Sequence, residues 1–233
     1  MTNYQQLYKL QDSFFASLGD LLEGFYLTGG TCLSRFYLHH RYSDDLDFFI
    51  SGVSDFNERL QRIYHKLKEL FEIDESLTLQ ADTYTRFWII EPISMKIDFV
   101  NEIPGNWCAC NDYNKIKIDG PANILANKLG TIVSREEPKD VFDIVSIAEN
   151  YSFNWIEAYK QAIKKQIMNE TDIALILSSF QIKLLENCSW LNEPVDLSDL
   201  RKKLDAIIND FILGKENSLG LGKTPLTEAQ VIA

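Results

Sequence analysis

Hydrophobic residues recur at spacings of three and four over residues 4–22, where Leu7, Leu10, Phe14, Phe15, Leu18 and Leu22 fall on one helical face. The period then shortens. Gly24-Phe25-Tyr26-Leu27 predicts a strand that leads into Thr28-Gly29-Gly30-Thr31, and residues 32–40 read as a helix with Leu33, Phe36 and Tyr37 inward. Residues 45–50 predict a second strand. A long helix capped by Ser54 or Asp55 follows through Phe71, with Phe56, Leu60, Ile63, Leu67 and Leu70 in its stripe. Further strands are predicted over 77–79, 84–90 and 94–100, the last two joined at Glu91-Pro92-Ile93. Residues 102–114, with Pro104-Gly105-Asn106, read as a loop and 115–118 as a short edge strand.

From Pro121 onward the pattern predicts helices alone, over 121–135, 139–150, 154–168, 171–187 and 197–213. Pro121, Pro138 and Pro194 each stand at or just before a predicted helix start, where a missing N–H costs nothing. After Gly214 periodicity fades, so this tail is expected to be mobile or weakly docked. The layout is α+β: a mixed α/β domain over 1–120, a helical domain over 121–213 and a tail over 214–233.

Composition narrows the class. Hydrophobic residues at 45% and charged residues at 24% are ordinary for a globular chain of 233 residues, which excludes a disordered or collagen-like protein. No apolar run approaches the roughly 20 residues of a membrane span, and Met1-Thr2-Asn3-Tyr4-Gln5-Gln6 lacks a signal-peptide pattern. A cytoplasmic protein without a membrane partner is expected. The net charge of −11 argues against a protein that lives on duplex nucleic acid, which needs a basic face. Cys32, Cys108, Cys110 and Cys188 lack zinc spacing and read as reduced thiols.

The segment Tyr42-Ser43-Asp44-Asp45-Leu46-Asp47-Phe48-Phe49-Ile50 carries the most chemistry. Aspartate is depleted in strands, yet two stand in this β-forming run. Alternation points Asp45 and Asp47 to one face and Leu46, Phe48 and Ile50 to the other. Carboxylates about 6–7 Å apart on one face repel unless a cation lies between them, and their oxygens suit Mg²⁺. The rival reading is that both are solvated, or that one pairs with Arg41. In Met95-Lys96-Ile97-Asp98-Phe99-Val100, alternation sets Asp98 opposite Met95, Ile97 and Phe99. A third carboxylate on a neighbouring strand would complete a cluster able to hold two ions for phosphoryl transfer. Sequence does not say whether the two strands are neighbours. Thr28-Gly29-Gly30-Thr31 could bring backbone N–H groups to a phosphate, or be simply a tight strand-to-helix turn.

Together these residues resemble a known family. Leu27-Thr28-Gly29-Gly30-Thr31-Cys32-Leu33 and Arg41-Tyr42-Ser43-Asp44-Asp45-Leu46-Asp47-Phe48-Phe49 are similar to the first motif of the AbiEii/AbiGii toxin family, a branch of the DNA polymerase β-like nucleotidyltransferases. Lys96-Ile97-Asp98-Phe99 resembles the strand of the third acidic residue. Ile124-Leu125-Ala126-Asn127-Lys128-Leu129 with Ser134-Arg135 resembles the lysine-bearing helix, and Pro138-Lys139-Asp140-Val141-Phe142-Asp143-Ile144 the terminal motif. The likeness spans residues 24–150. It departs from the family in a slightly longer spacing between Thr31 and Asp45 and in Lys139 where arginine is usual, which loses bidentate geometry and keeps charge.

The resemblance implies a nucleotidyltransferase-like mixed β-sheet flanked by helices, followed by a C-terminal helical bundle. It implies Mg²⁺-dependent transfer from an NTP to a hydroxyl acceptor, with tRNA or another RNA as a candidate, by the toxin of a toxin–antitoxin or phage-defence pair with a cognate antitoxin protein. Asp45, Asp47 and Asp98 would be catalytic and bind metal. Gly29, Gly30 and Thr31 would hold the triphosphate, with Lys128, Asp140 and Asp143 also in the nucleotide site. The rival for Lys128 is an exposed helix lysine, and for Asp140 a carboxylate that stabilises a helix N-terminus. Arg41 reads as a strut for Asp44 or Asp45, and His39 and His40 as surface or packing residues. The alternative functions are a phosphotransferase, or a catalytically silent nucleotide-binding or interaction module.

Overall fold

The computed structural model describes residues 3–135 and 137–232; Met1 and Thr2, from the N-terminal stretch tested for a leader pattern, lie outside them, as do Glu136 and Ala233. The chain divides into two compact units. The first comprises residues up to Cys32, 43–104 and 110–119, and the second 33–42, 105–109 and 120 onward. One border between the units falls between Asp119 and Gly120, and 33–42 and 105–109 group with the residues from 120 onward.

The first unit is one mixed sheet with helices against it. Its strands are β1 (Tyr26–Thr28), β2 (Leu46–Ser51), β3 (Glu72–Ile73), β4 (Leu79–Gln80), β5 (Tyr84–Glu91), β6 (Met95–Glu102), β7 (Asn111–Tyr113) and β8 (Ile116–Ile118). They run in the order β3-β5-β6-β2-β1-β8-β7, with β4 also on β5. β2 pairs with β6, and β1 with β8, in parallel; the other pairs are antiparallel. Helices α1 (Tyr4–Leu18) and α3 (Phe56–Leu70) bury most of the stripes their periodicity predicts: Leu7, Leu10, Phe14 and Leu18, and Phe56, Leu60, Ile63 and Leu67, while Phe15 is half-buried and Leu70, at the end of α3, is exposed. Phe14 of α1 meets Phe48 at 5.7 Å between ring centres, and Tyr64 of α3 stacks on Phe87 at 5.4 Å. Phe48 in turn stacks on Phe99 at 5.4 Å. This aromatic core claims one face of β2 and β6, so their alternate side chains must stand on the other face.

Two local expectations give way. The strand expected at the edge over 115–118 lies inside the sheet, because β7 adds outside it through a hairpin. That hairpin turns at Asn114-Lys115 with Asn114 at φ +52°, a conformation asparagine tolerates. β7 itself reads Asn-Asp-Tyr, with no apolar alternation to announce it. The helix expected over 32–40 begins directly after β1 as α2 (Gly29–Leu33) and widens into a π-helical stretch over Ser34–Leu38, ended by His39 at φ +49°. A π-turn holds an extra residue, which suits the lengthened spacing between Thr31 and Asp45.

The second unit contains α4 (Pro121–Ser134), α5 (Pro138–Asn150), α6 (Trp155–Lys165), α7 (Glu170–Ser179) and α8 (Leu197–Ile212). Trp155 is fully buried and packs edge-on to Phe153 and Phe211. The helix expected over 171–187 stops at Ser179. The hydroxyls of Ser178 and Ser179 bond back to the Ala174 and Leu175 carbonyls at 2.6 and 2.8 Å, which loosens the last turn, and a short 3-10 turn follows over Ile182–Leu185. The segment after Gly214, expected to dock weakly, is tied in. Buried Asn217 donates to the Ala148 and Tyr151 carbonyls, Leu226 N–H to Ser152 and Ile232 N–H to Phe36. These ties are backbone hydrogen bonds, one asparagine amide and the isolated buried Leu226 and Ala229, which leave no periodic signature.

Candidate active site

The register of the sheet brings the acidic residues together. Thr28 of β1 stands opposite Asp47 of β2, Asp47 opposite Asp98 of β6, and Asp98 opposite Arg86 of β5, so one row of side chains crosses four strands on one face. The row beside it begins at Asp45, just before β2, and continues through Lys96 to its partner Trp88. Lys96 Nζ lies 2.8 Å from Asp45 Oδ2 and 3.4 Å from Asp98 Oδ2, linking carboxylates from two strands. Asp98 also accepts from Arg86 Nε at 2.8 Å, Arg86 Nη2 at 3.0 Å and the Tyr84 hydroxyl at 3.0 Å.

These contacts set the charge states. Burial works against ionised Asp98, but Arg86 and Lys96 outweigh it and hold the carboxyl below its usual range. Burial likewise opposes the Lys96 ammonium, and Asp45 with Asp98 overcomes it and lifts its pKa. Tyr84 is pushed up, first by burial and then by the charge of Asp98, so its phenol stays a donor.

The glycine turn meets this row directly. Gly29 has φ +73°, and a Cβ there would come within 2.5 Å of Asp47 Oδ2. The Thr31 hydroxyl donates to the backbone carbonyl of Asp45, which fastens the turn to the acidic segment. On the other side of β1, Thr28 donates at 2.7 Å to Asp119, a fully buried carboxylate at the end of β8. Cys32 donates to the Asp119 backbone carbonyl at 3.4 Å, and burial followed by the charge of Asp119 raises its thiol pKa. That thiol is a packing group with no nucleophilic character.

In the second unit, Lys128, Asp140 and Asp143 meet one another. Lys128 Nζ is 2.5 Å from Asp140 and 2.6 Å from Asp143, and all three are buried. Asp143 also takes a two-pronged bond from Arg41, at 2.6 and 2.8 Å, and a bond from His40 Nε2 at 2.7 Å. Asp140 is held by Arg135 at 2.9 Å. Burial disfavours the Asp143 charge, but Lys128 and Arg41 hold its pKa well below the usual range. Arg41 thus braces Asp143, and His40 lies in the same cluster, stacked on Phe142.

The model for the nucleotidyl transferase AbiEii toxin of type IV toxin–antitoxin systems matches residues 13–219, most of the chain. The chain belongs to the AbiEii family. It is a nucleotidyltransferase of that toxin family, and the mixed α+β architecture agrees. Among solved structures, JHP933 from Helicobacter pylori is 19% identical, with a TM-score of 0.57 over 90% of this chain and 91% of that one. MenT4, a nucleotidyltransferase toxin from Mycobacterium tuberculosis H37Rv, is 14% identical, with a TM-score of 0.52 over 89% and 84%. At these identities the likeness is one of fold. No curated protein matches the chain by sequence.

The donor chemistry of the acidic residues is uniform: Asp45, Asp47 and Asp98 offer oxygen ligands alone, the set that suits a hard divalent ion. Among the described residues, no three acidic, imidazole or thiol side chains are already gathered as a ligand cage. The physical reason is visible in the ion pairs: Lys96 lies between Asp45 and Asp98, and Arg86 grips Asp98 from β5. Sequence reading did not single out Arg86, Tyr84, Lys96 as an acid partner, or Asp119. Alternation puts Lys96 and Asp98 on one face, and likewise Tyr84 and Arg86. Their juxtaposition needs the pairing register of β5 and β6, which composition does not encode. Among the described residues, no helix is long and apolar enough to cross a membrane.

Proposed function

We propose that this AbiEii-family enzyme transfers a nucleotidyl group from an NTP to an RNA hydroxyl, with tRNA as the acceptor, using Mg²⁺ held by Asp45, Asp47 and Asp98. The observation that carries this reading is the in-register pairing of Asp47 with Asp98 on parallel strands, with Asp45 two positions upstream on the same face and salt-linked to Lys96. Mg²⁺ supplies charge stabilisation at the transferring phosphoryl group. In the transfer, the acceptor oxygen bonds to the α-phosphorus, the bond to the β-phosphate oxygen breaks and pyrophosphate leaves. Asp98 receives the hydroxyl hydrogen bond and draws off its proton. Tyr84 and Arg86 keep its carboxylate fixed for that task.

Gly29, Gly30 and Thr31 hold the triphosphate through the backbone N–H groups that open α2. Thr31 acts through its N–H, because its hydroxyl is committed to Asp45. Lys128 contacts a phosphate with the donor left after bonding Asp140 and Asp143, so those two acids serve the nucleotide by positioning Lys128. A cognate antitoxin, implied by the family's type IV designation, completes the system.

The test mixes full-length protein, Mg²⁺, total bacterial RNA and each of four α-labelled NTPs. Wild type should label an RNA of tRNA size, and Asp45→Asn and Asp47→Asn should each lose more than about 100-fold of that activity. Label on protein that disappears in both variants would move the acceptor from RNA to protein. Label that persists in both would remove Asp45 and Asp47 from catalysis.

A further inference from the structure

The gap between Asp45 and Asp98 is bridged by a side chain of the chain itself. Lys96 enters it from β6, one pleat away from Asp98, with its ammonium 2.8 Å from Asp45 and 3.4 Å from Asp98. Arg86 occupies a different place. In the order β5-β6-β2 it binds Asp98 from the side opposite Asp47, and it can stay there whatever lies between the carboxylates. Counting unit charges, Asp45, Asp47 and Asp98 carry three negatives, and Lys96 and Arg86 carry two positives. The acidic face is thus nearly neutral in its resting state, which spares the strands the cost of three facing carboxylates.

We infer that Lys96 is the internal counter-ion of the cation site: its ammonium holds Asp45 and Asp98 together, and a divalent ion enters by displacing it. The inference rests on the proposed reading of Asp45, Asp47 and Asp98 as metal ligands. A plain strut would behave oppositely. Removing a strut would let the carboxylates spread and weaken metal binding, whereas removing a competitor leaves more negative charge and an open place. A displaced ammonium about 6 Å from a divalent ion lowers its affinity about tenfold even at the dielectric of water.

The experiment titrates full-length protein with Mn²⁺ alone and reads free ion by electron paramagnetic resonance, for wild type, Lys96→Gln, Lys96→Arg and Asp47→Asn. Lys96→Gln should bind Mn²⁺ about tenfold more tightly than wild type. Lys96→Arg should resemble wild type, and Asp47→Asn should lose the site. Equal or weaker binding by Lys96→Gln, with binding still lost in Asp47→Asn, would overturn the role of Lys96 and leave the metal-ligand reading standing. Binding unchanged in Asp47→Asn would overturn both. A second measurement needs no variant at position 96. Acylation of Lys96 by an amine reagent, mapped by mass spectrometry on wild type, should rise when Mg²⁺ is added; a constant yield would overturn the displacement.

Discussion

Gly29 carries two demands at one Cα. Its φ of +73° lies where a side chain strains the backbone, and a Cβ would fall 2.5 Å from Asp47 Oδ2. Gly29→Ala should therefore cost about 1–3 kcal/mol in stability and also push the Asp47 carboxylate out of its row with Thr28 and Asp98. Chemical denaturation checks the first effect and the labelling assay the second. A variant that is destabilised yet fully active would show that Asp47 tolerates the shift. At this scale, alternation alone made three acids legible, since Asp45, Asp47 and Asp98 each oppose a buried apolar face. What escaped was the company they keep. Lys96, Arg86 and Tyr84 look like ordinary strand residues until the register sets them beside Asp98.

Among the elements, the site depends on β2 holding its two faces apart. Leu46, Phe48 and Ile50 are buried while Asp47 and Phe49 alternate with them, and Phe48 is fixed by Phe14 and Phe99. Phe48→Ala should lower unfolding stability by about 3–5 kcal/mol, measured by urea denaturation, because a fully buried ring is lost from a packed cluster. If the strand is clamped by this cluster, partial loss of activity should accompany the loss of stability at temperatures well below the unfolding midpoint. Elements of this kind, with strong period two or 3.6, were readable from the chain: α1, α3, β2, β5, β6 and the helices after Pro121. Those that depend on another segment were not. β3 and β4 are two-residue additions to β5, β7 has no apolar alternation, and the π-helical stretch at Ser34–Leu38 has the same residue types as an α-helix.

For the molecule as a whole, stability should carry a pH dependence that originates in the Asp143 cluster. The motif identified Lys128, Asp140 and Asp143, but their meeting with Arg41 and His40, about a hundred residues away in sequence, appears only once the chain is folded. His40 is 9% exposed, gives its Nε2 proton to Asp143 and stacks on Phe142. Its Nδ1 is buried with no hydrogen-bond partner among the described residues, so a second proton there would have nothing to bond. Burial is the main force that lowers its pKa, the nearby Asp143 works in the other direction, and Arg41 and Lys128 add to the lowering. The sign of the linkage follows. Above about pH 6.5 the imidazole is neutral both folded and unfolded and contributes no slope. As the pH falls below that value the unfolded chain takes up a proton that the folded chain resists, so stability declines until the folded pKa is reached. By pH 5.5 this loss amounts to at most about 1.4 kcal/mol, or roughly 3–6 °C in Tm for a chain of this size. His40→Gln keeps a donor toward Asp143 but does not titrate, so its Tm should fall less than that of wild type between pH 7.5 and 5.5. Parallel declines in the two proteins would place the proton uptake elsewhere and show that His40 titrates in the folded chain as it does in the unfolded one.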